Sequence, residues 1–507
     1  MTISTLSMDR RSLLKSGAAL AASASVAAPL EAFARRGSPA AFDAPLPSPY
    51  GPIAPVLDDE TGLPLLQLPK GFSYRSFGWT GDLMENGQPT PPSHDGMAVV
   101  EERGPLTVLI RNHESANARD LAGDPLAVIG ARGVYDPVTG ELAPRGVTGG
   151  TTTLVLKNGR PFRTLPSLGG TLVNCAGGAT PWGTWLTCEE TTTDLTPLGG
   201  KKHGYVFEVA WNGLEKAREP IVEMGRMAHE AVAVDPFTSA VYLTEDNRNM
   251  SGFYKFEPKF PVRTFGALGR GGRLFAARAK GEPNADINAP KIGDTYRIEW
   301  VEIADPDAAP GPFSDAIVTG TASGPFLQAR AAGGLRMGRG EGIWRSRRDG
   351  LFYFVDTSAG LDSSQRPGRG LGAVWAFDAY RGVLRCIYAS ASELAGNNPD
   401  NIVASPRGGL LLCEDGGGVE DEFGFGERLL GLTPHGAPYI FAKNNIQLSP
   451  SDISAAGKSA LLIGADDYRD REWCGATFDR EGETLFANIQ SPGITFAIRG
   501  PFRRGPL

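Results

Sequence analysis

The chain has 507 residues, is 41% hydrophobic and carries a formal net charge of −7. That balance suits a large globular protein of one or two domains and excludes the basic footprint of a nucleic-acid binder. Five cysteines make an odd, sparse set that excludes a disulfide framework, and 66 glycines with 39 prolines point to short strands joined by tight turns.

The N-terminus reads first. Asp9-Arg10-Arg11-Ser12-Leu13-Leu14-Lys15 precedes an alanine-rich apolar run from Ala18 to Leu30, and Ala32-Phe33-Ala34 supplies an A-x-A cleavage site. Residues 1–34 are therefore expected to be a twin-arginine export signal, which places the mature protein in the periplasm or outside the cell. That route carries folded proteins, often with a cofactor already bound. No later run approaches the ~18 apolar residues of a membrane span. Residues 35–65, rich in Pro, Ala and Ser, read as a linker, and the globular domain is expected over 66–507.

Six segments of that domain share one plan: a carboxylate or cysteine, a small residue, a strand, a turn, a second strand and a polar cluster. The first runs from His94-Asp95-Gly96 to Arg111-Asn112-His113-Glu114. The second runs from Asn174-Cys175-Ala176 to Cys188-Glu189-Glu190, the third from His229-Glu230-Ala231 to Thr244-Glu245-Asp246. The fourth runs from Gly340-Glu341-Gly342 to Asp356-Thr357, the fifth from Asp400-Asn401 to Cys413-Glu414-Asp415. The sixth runs from Glu472 and Cys474-Gly475 to Asn488-Ile489-Gln490. Each reads as a hairpin with a Gly, Asp or Pro turn. Six hairpins with further outer strands predict an all-β, six-bladed β-propeller. The long gap 258–335 reads as an insertion with a short helix near 324–332.

In a propeller the first strand of each hairpin starts at one end of the central channel, and the antiparallel second strand returns to that rim. This gathers Asp95, Cys175, Glu230, Glu341, Asp400 and Glu472 from the strand starts. The strand ends add Glu114, Glu189, Glu190, Glu245, Asp246, Asp356, Glu414 and Asp415. Glu189 and Glu190 alternate in facing, so one of them is expected to face the channel. Carboxylates this crowded need cations between them or must hold protons. Oxygen ligands suit calcium or magnesium, whereas the Cys175 thiolate favours a softer or redox metal such as zinc or iron. Cys188, Cys386 and Cys413 sit inside strands and read as core, and Cys474 reads as packing. Arg339, two residues before Glu341, offers a guanidinium fork for an oxyanion. No serine-hydrolase elbow, H-E-x-x-H, P-loop or dinucleotide fingerprint stands out.

The stretches Asn174-Cys175-Ala176, Thr180-Pro181-Trp182-Gly183-Thr184, Thr187-Cys188-Glu189-Glu190, Arg226-Met227-Ala228-His229-Glu230, Arg339-Gly340-Glu341 and Thr484 through Gly493 resemble the PhoX-type alkaline phosphatases. The resemblance spans most of the chain from about residue 66. It implies a six-bladed propeller with an iron–calcium cofactor of two ferric ions and several calcium ions. It also implies Cys175, Glu190, Glu230, Glu341 and Glu472 as metal ligands, with Arg339 binding phosphate. Glu114, Glu245, Asp246, Asp95 and Asp400 join the candidate ligands from the rim argument.

The expected function is that of an exported, metal-dependent phosphomonoesterase acting on small phosphate esters, monomeric apart from its export machinery. Two alternatives are a non-catalytic, calcium-stabilised propeller serving as a binding scaffold and a calcium-dependent propeller hydrolase of lactones or phosphotriesters.

Overall fold

The computed structural model describes residues 42–124, 126–128, 133–137, 147–212 and 219–507; the expected export signal lies outside them. The fold is all-β and propeller-like, with few helices. The five larger sheets are built outward from the six hairpins, two of which share one sheet.

His94–Arg103 and Leu106–His113 open a five-stranded sheet, and Asn174–Ala179 with Thr184–Glu189 open a three-stranded one. His229–Val234 with Val241–Glu245, and Gly340–Arg345 with Phe352–Asp356, lie at opposite ends of a nine-stranded sheet. Pro399–Ala404 with Leu410–Glu414 begin a six-stranded sheet, and Trp473–Phe478 with Thr484–Ile489 a four-stranded one. The expected insertion 258–335 extends the nine-stranded sheet from the third hairpin through Gly272–Ala279 and Thr295–Glu302, and Thr295 to Arg297 then pair with Val383 to Arg385, which belong to the fourth hairpin's side of the same sheet. Its helix, Gly324–Ala331, is capped by Ser323, whose hydroxyl accepts from Phe326 N–H.

Both ends of the chain tie into the body. Ser73–Phe77 adds the outer strand to the C-terminal sheet by pairing with Ile494–Arg499. Ile53–Val56 pairs with Leu66–Pro69, which pairs with Pro438–Asn444. The boundary drawn at residue 66 is therefore moved: part of the stretch read as linker is a strand, because it completes an otherwise open sheet edge. Tyr50 also anchors this end, its hydroxyl accepting from Leu507 N–H at 2.7 Å.

With a sheet on either side, strands are buried on both faces, as in Ala373–Asp378, where every residue is buried. Within the nine-stranded sheet, aromatic rings interlock between the strands next to the third hairpin and those of the fourth, with Phe253 stacked on Phe354 at 4.7 Å. Each such buried ring contributes roughly 1.5–3 kcal/mol.

The first strands of the hairpins touch in a closed ring. Small residues allow this: a side chain at Gly96 would strike Ala176, at Gly178 Val232, at Gly342 Asn401 and at Gly475 Asp95. Thr244 Oγ1 donates to Glu341 O at 2.6 Å, and Gly475 N–H donates to Asn401 Oδ1 at 3.1 Å, linking the remaining neighbours.

Candidate metal centre

One register recurs in every hairpin. The pairs His94–His113, Asn174–Glu189, His229–Glu245, Gly340–Asp356, Pro399–Glu414 and Trp473–Ile489 face one another at the rim. Directly inside the first five pairs the ladder is interrupted. In the first five hairpins the interruption leaves Asp95, Cys175, Glu230, Glu341 and Asp400 out of register. A bulge of this kind re-aims a side chain. In the sixth hairpin the shift falls after Cys474, and Glu472 enters from just outside the strand, its carbonyl accepting from Gln490 N–H at 3.2 Å.

The second strands divide by alternation. The last residue of each ladder serves the scaffold, and the residue after it faces the mouth. Glu189 accepts from His203 Nδ1–H at 2.6 Å and from the N–H groups of Leu172, Gly204 and Tyr205. Glu414 is gripped by Arg428 at 2.6 and 2.9 Å. Asp356 accepts from Gly338 N–H at 2.7 Å and Arg339 N–H at 2.9 Å. Glu245, expected among the ligands, is likewise turned away from the ring. Its oxygens accept from Ser323 Oγ–H and Tyr254 Oη–H, so the insertion's helix cap holds it. The next residues, Glu114, Glu190, Asp246, Asp415 and Gln490, occupy the mouth.

There the carboxylates crowd. Asp95, Glu114 and Cys175 can place one ligand atom each within 4.8 Å of one another; so can Cys175, Glu230 and Asp400, and so can Asp95, Glu472 and Cys474. Cys175 Sγ lies 3.7 Å from Asp95 Oδ2. Gln490 Nε2 donates to Glu114 Oε2 at 2.7 Å and more weakly to Asp95 Oδ2 at 3.4 Å. Burial raises the carboxyls of Glu230, Glu341, Glu190 and Glu472 well above the usual range, and neighbouring carboxylates add to it. Glu114 is pushed up to about 7, chiefly by burial. Burial, then Asp95, pushes the Cys175 thiol up as well.

The donor set fits a metal cluster. Asp95 Oδ1, Glu341 Oε1 and both oxygens of Glu230 are buried without a hydrogen-bond partner. Such acceptors are costly unless something fills the gap between them. Glu341 Oε1 is approached at 3.2 Å by Arg339 Nη2, outside hydrogen-bond geometry. Arg339 itself is engaged: its Nε donates to Asp246 Oδ1 at 2.7 Å and its Nη2 to Asp246 Oδ2. The fork expected to be open is thus seated on a carboxylate, because Asp246 faces the same rim; among the described residues Nη1 has no partner.

Of the other residues singled out, His229 Nε2–H donates to Gly225 O at 2.8 Å, and His113 bonds Pro92 O and Thr152, so both are structural. Cys188, Cys386 and Cys413 are buried in the core. Cys474 has a second aspect: its Sγ lies 3.0 Å from His94 O, yet it can also share a ligand position with Asp95 and Glu472. Its place one residue inside the sixth rim pair, matching Cys175 in the second, was the available signal. Gln490 at the end of the sixth hairpin carried the same signal.

No curated protein sequence matches the chain. Among solved structures it is similar to Pseudomonas fluorescens PhoX in complex with vanadate, a transition state analogue. The identity is 18%, over 92% of this chain and 99% of that one, with a TM-score of 0.60. It also matches selenomethionine-substituted virginiamycin B lyase from Staphylococcus aureus at 12% identity, over 84% of this chain and 99% of that one; the TM-score of 0.39 is too low to carry an argument. The first likeness establishes a shared fold. The family model described as alkaline phosphatase PhoX matches residues 48–493, and on that span the chain belongs to the PhoX alkaline phosphatase family.

Proposed function

We propose that the protein is an exported, metal-dependent phosphomonoesterase that releases inorganic phosphate from small phosphate esters. We read the fold as six-bladed. The nine-stranded sheet then counts as two blades joined at Thr295 to Arg297, and the ring of first strands lines one channel. The observation that carries the functional reading is the buried, unpartnered set of Asp95, Glu230 and Glu341 oxygens beside a thiol and an arginine at one mouth.

Asp95, Glu114, Cys175, Glu190, Glu230, Glu341, Asp400 and Glu472 would hold the cations. Sulfur beside oxygen donors favours iron together with calcium. When bound, such cations polarise the phosphoryl group and activate water. Asp246 holds the guanidinium plane of Arg339, which leaves Nη1 for a phosphoryl oxygen. A fixed cation there meets the charge that gathers on the equatorial oxygens without reorganising. The scaffold carboxylates Glu189, Glu414 and Asp356 lock the loops that carry Glu190, Asp415 and Arg339. No helix among the described residues is long and apolar enough to cross a membrane.

The test uses protein produced with its own export signal. Turnover of p-nitrophenyl phosphate, iron and calcium in the purified protein, and a visible ferric–thiolate absorption band are expected. Metal-replete protein without turnover would overturn the reading. A colourless protein holding calcium alone would favour the scaffold alternative.

A further inference from the structure

Three loops meet at the side of the mouth that carries Arg339. Asn249 N–H donates to Gly338 O at 2.6 Å, and Asn249 Nδ2 donates to Pro367 O at 3.2 Å. A side chain at Gly338 would strike Asp356 Oδ1 and crowd Gly368 Cα at 3.3 Å, and one at Gly368 would strike Asn249. Gly368 has a φ of +66°, which suits glycine and permits this approach. Each touching residue has an arginine beside it in sequence: Arg248, Arg339 and Arg369.

These arginines differ in their partners. Arg339 is committed to Asp246, with Glu341 alongside. Among the described residues Arg248 donates to one acceptor, the neutral Gly368 O, at 3.1 Å. Arg369 is exposed, and its side chain has no partner among the described residues. Neither Arg248 nor Arg369 forms an ion pair there. Two cations that form no ion pair among the described residues are thus carried on the loops that meet beside the candidate phosphate-binding arginine. Arg339 and Arg369 both lie close enough to Arg248 for their charges to act on it. Acidic groups do face it, since Asp246 and Glu341 act on Arg248 in the opposite sense. Asp246 is already shared with Arg339.

We propose that Arg248 and Arg369 form a second anion subsite, which selects phosphate esters bearing another anionic group, phosphate or carboxylate, on the leaving group. This rests on the phosphomonoesterase reading. Arg339 takes the phosphoryl group to be cleaved, and Arg248 and Arg369 take the distal charge. Guanidinium recognises both anions through paired N–H donors.

The test compares kcat/KM for phenyl phosphate with its 2-, 3- and 4-carboxy derivatives, and for fructose 6-phosphate with fructose 1,6-bisphosphate. The wild type should favour the more anionic member of at least one pair by roughly tenfold, and the preference should fall as salt rises. Arg248→Ala and Arg369→Ala should each cut that ratio roughly three- to fivefold, and the double variant should bring it near one. Arg369→Lys should restore part of it. Arg369 has no structural contact to lose, so its variant separates anion binding from loop integrity. Calorimetric titration with fructose 1,6-bisphosphate runs in parallel. If no substrate is turned over, the phosphatase reading fails, and weaker binding by the double variant still supports the subsite. An absent wild-type preference, a preference unchanged in the double variant, or equal binding by both proteins overturns it.

Discussion

Glu230→Gln tests the metal centre most directly. Glu230 is fully buried, and neither of its oxygens has a hydrogen-bond partner. Burial, and then the charges of Glu341, Asp400, Glu190 and Asp95, raise its carboxyl well above the usual range. An amide of the same shape keeps the packing, so the metal-free protein should change by no more than about 1 kcal/mol. The metal-bound protein is a different case. Removing one partner of a buried charge pair costs about 3–5 kcal/mol. Expressed as binding, that is roughly two to four orders of magnitude in the metal dissociation constant. Calorimetric melting with and without chelator, with elemental analysis of the same samples, reads both effects. The stabilisation lost on chelation should be large in the wild type and much reduced in Glu230→Gln. If the variant keeps its full metal content and chelator response, or its metal-free form collapses, Glu230 is a structural acceptor and the ligand assignment is refuted.

Cys175→Ser preserves size but weakens a soft ligand, so iron content and visible absorption should fall together; unchanged iron would make Cys175 a packing residue. Arg339→Lys keeps the charge but loses the planar two-point contact with Asp246, and turnover of p-nitrophenyl phosphate should fall roughly ten- to a thousandfold with metal content preserved. Equal turnover would remove Arg339 from the reaction. His203 supplies a pH dependence away from the mouth. Burial lowers its pKa, but Glu189 Oε1 at 2.6 Å and Asp136 Oδ2 at 3.3 Å outweigh that and raise it. A raised folded-state pKa gives stability that is complete below the unfolded value of about 6.5 and is lost as pH rises through the folded value. The melting-temperature gap between wild type and His203→Gln should therefore narrow on going from pH 6 to alkaline pH; a constant gap would mean that His203 is neutral throughout.

Much of this molecule was legible in its residues. The repeated carboxylate or cysteine, small residue and strand predicted six hairpins, and all six are present with one shared rim register. The small residue after Asp95, Cys175, Glu230 and Glu341 was part of that signal, because first strands touch there and Gly96 and Gly342 leave no room for a side chain. The helix near Gly324 was legible from its Ser323 cap and Pro325 in the first turn. Periodicity showed that only one of Glu189 and Glu190 could face the mouth. It could not show which, because that depends on His203 and three backbone N–H groups arriving from other segments.

Tertiary structure alone decided the rest. Glu245 and Asp246 looked alike as candidate ligands in sequence, yet a helix cap nearly eighty residues further along the chain, at Ser323, takes the Glu245 carboxylate. Arg339 looked open, yet Asp246 reaches it across the rim. The strand at Ile53–Val56 carries no strand pattern of its own; it forms because Leu66–Pro69 offers an unpaired edge. Local sequence sets which residues alternate, bulge and turn, since those follow from the backbone. Which oxygen is spent on the scaffold and which is left bare depends on partners that only folding brings within about 3 Å.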